Sequence, residues 1–355
     1  MKKSLIAVAA LAAVGAASAQ SSVTLYGLVD TGYSINQVKT QSAGVTTKER
    51  TTGLHSGGLS GSRWGLKGQE DLGNGLSAVF NVEAGFNSAN GAFAGGFNRR
   101  SVVGLKGGFG QVLLGRDYTP MDSIGSDYQA SDLVTSDDYF GDLYTSRANG
   151  VHYAGEFGGV GVKAFVGYDD AKTTTAGVTT ARARAEGYGV GVSYTGGPVT
   201  VGAAVQQFRN KALAAKTVKR TEYGVGATYD FNVAKVYTHY IGRDGGIGAA
   251  TAIGAGAVTV DSGDVKPVQQ FGVGVTVPFG AFTLGAQYAY NYHKVAVGTK
   301  AKGHDFVLQG AYALSKRTDV YARAARADSW KVKTSGVTSV KRYEDSFAVG
   351  IRHRF

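Results

Sequence analysis

Alternation of apolar and polar residues at a period of two, in segments long enough to cross a bilayer, is what most constrains this chain. Leu76, Ala78, Phe80, Val82, Ala84 and Phe86 fall on one face of an extended segment; Ser77, Val79, Asn81, Glu83, Gly85 and Asn87 fall on the other. The contrast recurs at Phe282, Leu284, Ala286, Tyr288, Tyr290 and Tyr292, and again at Phe306, Leu308, Gly310, Tyr312 and Leu314. Sixteen such segments can be marked: 22–35, 62–71, 76–87, 99–108, 111–117, 147–157, 160–169, 185–195, 199–209, 220–230, 234–243, 267–277, 282–293, 303–314, 318–328 and 343–355. Many run to ten residues or more, about the length a tilted strand needs to span a membrane. Sandwich strands are usually about half as long.

The connections alternate in length. One set is tight, at 72–75, 107–110, 158–159, 196–198, 231–233, 279–281 and 315–317. The other is long and polar, at 36–61, 88–98, 118–146, 170–184, 210–219, 244–266, 294–302 and 329–342. Short turns at one end and long loops at the other are the pattern of a transmembrane β-barrel. Composition agrees: 54 glycines supply the positive φ of tight turns, and only 4 prolines interrupt a backbone that must pair everywhere. There is no cysteine, which suits an exported protein without disulfides.

The N-terminus reads as an export signal. Lys2 and Lys3 precede a short apolar core, Leu5 to Val14, and Ala17-Ser18-Ala19 is a small-residue cleavage site. Residues 1–19 are expected to be removed, leaving 20–355 as one barrel domain. The apolar core is shorter than the roughly 20 residues of a membrane-spanning helix, and no later stretch reaches that length.

Lipid offers no hydrogen bonds, so the outer face must be apolar and the sheet closed. A charge facing lipid at mid-depth costs about 2–4 kcal/mol, so charges within strands, such as Lys67 and Glu83, are expected to face the lumen. Tyr288, Tyr290 and Tyr292 suit an aromatic girdle beside a long loop.

Several function classes lack support. The formal net charge is +11, but the cations are dispersed, with no compact basic block for nucleic acid. The six histidines show no zinc spacing. Asp137-Asp138, or Asp261 with Asp264, read as solvated loop acids rather than a cation site. The G-x-G pairs at 189–191, 224–226 and 272–274 lie inside strands, where they leave lumen space instead of cradling phosphate. No nucleophile motif appears. Neither a cofactor nor an enzymatic activity is expected.

The segments SSVTLYGLVDTGY (21–33), SRWGLKGQEDLGNGLSAVFNVEAGFN (62–87), FNRRSVVGLKGGFGQVLLGRDYTP (97–120) and FAVGIRHRF (347–355) together resemble the general diffusion porins of beta-proteobacteria, of the neisserial and Burkholderia type. The resemblance implies a 16-stranded all-β antiparallel barrel in the outer membrane, with short periplasmic turns and long extracellular loops. It implies that the third loop, 118–146, folds into the lumen and narrows it. The acids of that loop, Asp122, Asp127, Asp132, Asp137 and Asp138, with Asp142 beyond them, would face a basic wall of Arg63, Arg99 and Arg147, with Glu83 also at a wall position. Alternation supports Arg63 on the lumen face. It does not separate Arg99 from Arg100, and the family pattern favours Arg99. Arg116 and Arg323 are secondary candidates. The terminal Phe355 would be an assembly signal read by the outer-membrane barrel assembly machinery. Homotrimer formation and contact with outer-membrane lipid and lipopolysaccharide follow from the same resemblance.

The function so implied is passive diffusion of small hydrophilic solutes and ions, with anions preferred. The alternatives are a substrate-specific channel, or a barrel whose loops serve as receptor or adhesin.

Overall fold

The computed structural model describes residues 22–42, 44–93, 95–131, 143–212, 217–245, 267–296, 299–334 and 337–355. Among the described residues there are seventeen strands and one helix of eight residues. In chain order the strands are β1 (Ser22–Ser42), β2 (Val45–Ser56), β3 (Arg63–Gly73), β4 (Leu76–Gly85), β5 (Arg100–Gly107), β6 (Gly110–Tyr118), β7 (Arg147–Phe157), β8 (Val160–Thr175) and β9 (Val178–Gly196). They continue as β10 (Val199–Ala212), β11 (Val218–Asp230), β12 (Lys235–Gly245), β13 (Val268–Phe279), β14 (Phe282–Ala296), β15 (Thr299–Ala313), β16 (Thr318–Thr334) and β17 (Val337–Arg354). The helix α1 is Pro120–Asp127.

From β3 onward each strand pairs antiparallel with the next, and β17 pairs with β1 from Leu28↔Arg354 to Ser42↔Val340, so the sheet closes. The other edge of β1 is shared. Its first part pairs with β3 (Ser22↔Gln69 to Leu28↔Arg63) and its last part with β2 (Thr31↔Ser56 to Ser42↔Val45). β2 and β3 are therefore two pieces of one stave, and the wall has sixteen staves. Between them, residues 57–62 leave the wall and turn into the lumen.

The faces sort as the alternation requires. On β15, Phe306 and Leu308 are 53% and 62% exposed on the outer face, while Asp305 and Val307 are both 3% exposed. The tight turns lie where expected, and Asn74 with its flanking glycines takes the positive φ they need. The long connections differ from expectation. β1 and β2 run through most of 36–61 as a hairpin, and β8 with β9 does the same in 170–184. The strands also extend into 294–302 and 329–342. Beyond the lipid band a strand needs no apolar face, so these Thr-, Lys- and Arg-rich stretches pair without showing alternation. Residues 1–19 and the greater part of 244–266 lie outside the described residues.

Inside the barrel, α1 lies against β9 to β12. Met121, Ile124 and Tyr128 pack on Ala204, Ile241, Val268 and Ala301. Burying each of these large side chains contributes roughly 1.5–3 kcal/mol. The groove for the helix comes from glycine. A Cβ at Gly226 would stand 2.2 Å from Cγ of Tyr128, and one at Gly224 would stand 2.9 Å from Cγ2 of Ile124. The lumen space left by this G-x-G pair is what the inward loop fills.

Candidate pore constriction

The strand face brings Glu83 into the lumen beside the start of β5. Its Oε1 accepts from Nε of Arg99 at 2.5 Å, and its Oε2 accepts from the Tyr26 hydroxyl at 3.0 Å. Nε of Arg63 lies 3.9 Å from Oε2. Tyr118, the last residue of β6, joins the rest: its hydroxyl oxygen accepts from Nη2 of Arg99 at 3.1 Å and from Nη2 of Arg147 at 3.0 Å. The Arg147 guanidinium also sits 4.4 Å from the centre of the Tyr118 ring. Arg63, Arg99, Arg147 and Glu83 thus form one cluster around Tyr118, a residue that sequence reasoning placed only at the start of the loop. Among the described residues three guanidiniums stand against one carboxylate in this cluster, leaving two positive charges in excess.

Arg99 and Arg100 both reach the lumen side, because Arg99 precedes β5 and escapes its alternation. Arg100 is used differently: its Nη2 donates to Oδ2 of the buried Asp117 at 2.8 Å. Arg116 corrects a secondary candidate. It shares the face of the exposed Leu114, outside the barrel, and donates to the Asn98 carbonyl at 2.7 Å. Arg323 does face inward, donating to the Gly58 carbonyl at 3.2 Å.

Across from the wall, α1 carries Asp122 in its first turn and Asp127 at its end. Burial pushes the Asp122 carboxyl up to about 6, against the pull of Arg147, Lys163 and Arg99. The Asp127 carboxylate accepts from the Ser126 hydroxyl at 3.0 Å. Asp132, Asp137, Asp138 and Asp142 lie outside the described residues.

Two anchoring clusters were not foreseen. Glu222, wholly buried on β11, accepts from the Thr145 amide at 2.8 Å and its hydroxyl at 3.0 Å, and pairs with the buried Arg220 at 2.5 Å. Gln206 donates to the Thr145 carbonyl at 3.0 Å. This clamps the returning end of the third loop to the wall. Asp30, fully buried on β1, accepts from the amides of Gly58, Leu59 and Ser60 and from the Tyr321 hydroxyl at 2.6 Å. It fixes the inward turn 57–62, which faces loop residues 129–131 across a cavity of about 400 Å³. Asp30 and Glu222 obey the rule that strand charges face the lumen, but nothing in the sequence shows what they hold.

At the closing seam, the Phe355 amide donates to the Gly27 carbonyl at 3.0 Å and the Gly27 amide to the Phe355 carbonyl at 3.1 Å. The Phe355 ring covers Gly27, where a Cβ would stand 2.6 Å from Cζ. Among the described residues no group of His, Cys, Asp and Glu is arranged to hold a metal ion.

Residues 7–330 match the family model described as Gram-negative porin. The chain is 33% identical, over the full length of both, to outer membrane porin protein 32 of Delftia acidovorans, and 31% identical, again end to end, to an outer membrane porin protein of Bordetella pertussis. The major outer membrane protein P.IB of Neisseria meningitidis is 44% identical over 133 residues, covering 35% of this chain and 39% of its own. Among solved structures, the anion-selective porin from Comamonas acidovorans superposes with a TM-score of 0.69 at 30% identity, covering 95% of this chain and all of its own. A closed barrel with an inward third loop and full-length relatives of this kind make the chain a member of the Gram-negative porin family, a diffusion channel of the outer membrane.

Proposed function

We propose that the channel prefers anions, and that its selectivity is set at a neck between the Arg63–Arg99–Arg147 wall and the third loop. The observation that carries this reading is the cluster around Tyr118, in which Arg99 and Arg63 share the carboxylate of Glu83 and Arg147 joins them through the Tyr118 hydroxyl. A narrow, low-dielectric passage makes such an excess felt by each passing ion. The likeness to the anion-selective porin from Comamonas acidovorans supports the same sign. The acids 132, 137 and 138 complete the loop side of this proposal with Asp122 and Asp127.

The protein acts as a passive pore rather than an enzyme, assembles as a homotrimer, loses residues 1–19 on export, and reaches the membrane through the barrel assembly machinery. A solved outer membrane protein of Vibrio cholerae described as a trimer form shares the fold. Single-channel recording in planar bilayers tests the function. A large, non-saturating conductance with a reversal potential of anionic sign in a salt gradient is expected. Cation preference overturns the selectivity, and saturation by one solute points to a substrate-specific channel.

A further inference from the structure

The break between β2 and β3 is a built element. Gly57, at φ +80°, turns the chain out of the wall. Asp30 then gathers the turn: its Oδ2 accepts from the amides of Leu59 and Ser60, each at 2.8 Å, and its Oδ1 from the Gly58 amide at 3.2 Å. Two arginines of β16 and β17 hold the turn as well. Nη1 of Arg323 donates to the Gly58 carbonyl at 3.2 Å, and Nη1 of Arg352 to the Ser60 hydroxyl at 2.8 Å. Ser62 closes it, accepting from the Asp30 amide at 3.0 Å and donating to the Asp30 carbonyl at 3.1 Å. A bare connection between two pieces of a stave could satisfy its backbone in water. This one is held inside the barrel by a wholly buried carboxylate.

The third loop opposite is equally fixed. The Ala130 amide donates to Oε1 of Gln287 at 2.7 Å, and the Ser131 hydroxyl to Oε1 of Gln309 at 2.7 Å. Gly58 and Leu59 line one side of the cavity between the two, and Gln129, Ala130 and Ser131 the other.

Gly61 stands where the turn meets the arginine wall. Its carbonyl accepts from Nη1 of Arg63 at 3.2 Å. A Cβ on it would have Nη1 of Arg99, at 3.6 Å, as its one neighbour within 4 Å among the described residues. The residue is exposed, and its φ is outside the left-handed region that calls for glycine. Backbone and packing therefore leave room for a side chain. What a side chain would do there is cover the guanidiniums of Arg63 and Arg99.

We propose that the turn 57–62 is a second constricting element of the neck, set against the third loop, and that Gly61 is a specificity-determining position. The side chain it lacks keeps Arg63 and Arg99 open to a passing anion and sets the width of the passage between turn and loop. The proposal rests on the neck reading above and adds a further side to that neck.

Cysteine labelling tests it, since the sequence has no cysteine of its own. Gly61→Cys is recorded in planar bilayers before and after reaction with a methanethiosulfonate that carries either a sulfonate or a trimethylammonium. Either group fills the same gap, so conductance should fall by about a third or more. At 0.1 M salt the sulfonate should move the permeability ratio about two- to fourfold toward cations, and the trimethylammonium about as far toward anions. Leu59→Cys, on the cavity side of the turn, should also lose conductance on labelling. Gly108→Cys, in a tight turn with open space around it, should be labelled without loss. Heat-modifiable migration on gels identifies variants that fold, and mass spectrometry measures the labelling. Labelled Gly61→Cys and Leu59→Cys channels of unchanged conductance overturn the proposal. So does a folded Gly61→Cys that resists a reagent accepted by Gly108→Cys, or an equal loss at Gly108→Cys. If Gly61→Cys does not fold, Leu59→Cys decides. Wild-type reversal potentials keep the readings apart: anion preference with an unresponsive turn refutes only the turn, and a wild type without anion preference refutes the neck reading itself.

Discussion

Replacing Glu83 by glutamine gives the sharpest test of the neck. The substitution keeps the shape and an oxygen to accept from Arg99, turns the other oxygen into an amide N–H that the Tyr26 hydroxyl can accept, and removes the one carboxylate bonded to the arginine cluster among the described residues. The excess there rises from two positive charges to three. At about 6 Å a unit charge in water changes a monovalent ion's energy by about 0.7 kcal/mol. Screening with a Debye length of about 10 Å at 0.1 M salt trims this to roughly 0.4 kcal/mol. Anion and cation shift in opposite directions, so the permeability ratio should move by roughly 0.8 kcal/mol, about fourfold toward anions. At 1 M salt, with a Debye length of about 3 Å, the same change should shrink to about 1.4-fold. Reversal potentials in potassium chloride gradients at the two salt levels measure both numbers. Arg147→Gln should shift the ratio by a similar factor toward cations. An unchanged ratio for Glu83→Gln at low salt, or a shift independent of salt, would refute the reasoning.

Other outcomes follow from neighbouring groups. The Asp122 carboxyl, raised to about 6, is charged above that value and neutral below it, so anion preference should grow as pH falls from 7.5 to 5. In Asp122→Asn that pH dependence should vanish, and its persistence would assign it to another group. Glu222→Ala removes the carboxylate that pairs with the buried Arg220 and releases Thr145, which should cost about 3–5 kcal/mol. A lower thermal midpoint and flickering open-channel current would show it; a steady current at an unchanged midpoint counts against the clamp. Deleting Phe355 removes two backbone hydrogen bonds and the cover of Gly27, so the yield of heat-modifiable protein in outer membranes should fall several-fold. N-terminal sequencing of the exported protein should begin at Gln20.

The barrel was legible because a bilayer imposes its own grammar. Alternation marks a wall with lipid on one side and water on the other, and Phe306 and Leu308 sit on the outer face as their spacing required. Where the lipid ends, the grammar ends. The hairpin of β1 and β2 past Ile35 has no apolar face to announce it, so it read as loop. The arginine ladder was legible only with the family resemblance, because alternation names a face and not a neighbour. Tyr118 shows the limit. Its role depends on β6 ending where Arg99 and Arg147 converge, a relation across 48 residues that no local pattern encodes.

Glu83 and Glu222 show why charge counts along lumen faces mislead. Both are strand carboxylates pointing inward, and each is bonded to an arginine at 2.5 Å. They differ in what their partners can reach. Arg99 and Arg63 keep 19% and 30% of their side-chain surface open, so a passing anion can compete for them. Arg220 and Glu222 keep 2% and none, so their charges are turned to neighbours within the wall and to Thr145 and not to a passing ion. A sealed pair of this kind is a costly way to gain stability, since two ions leave water to make it. Its value is geometric. Glu222 offers two oxygens where the loop presents an amide and a hydroxyl, which an apolar side chain could not satisfy. The selectivity of this channel therefore depends on a few open guanidiniums, while the sealed arginine–glutamate pair holds in place the loop that makes them matter.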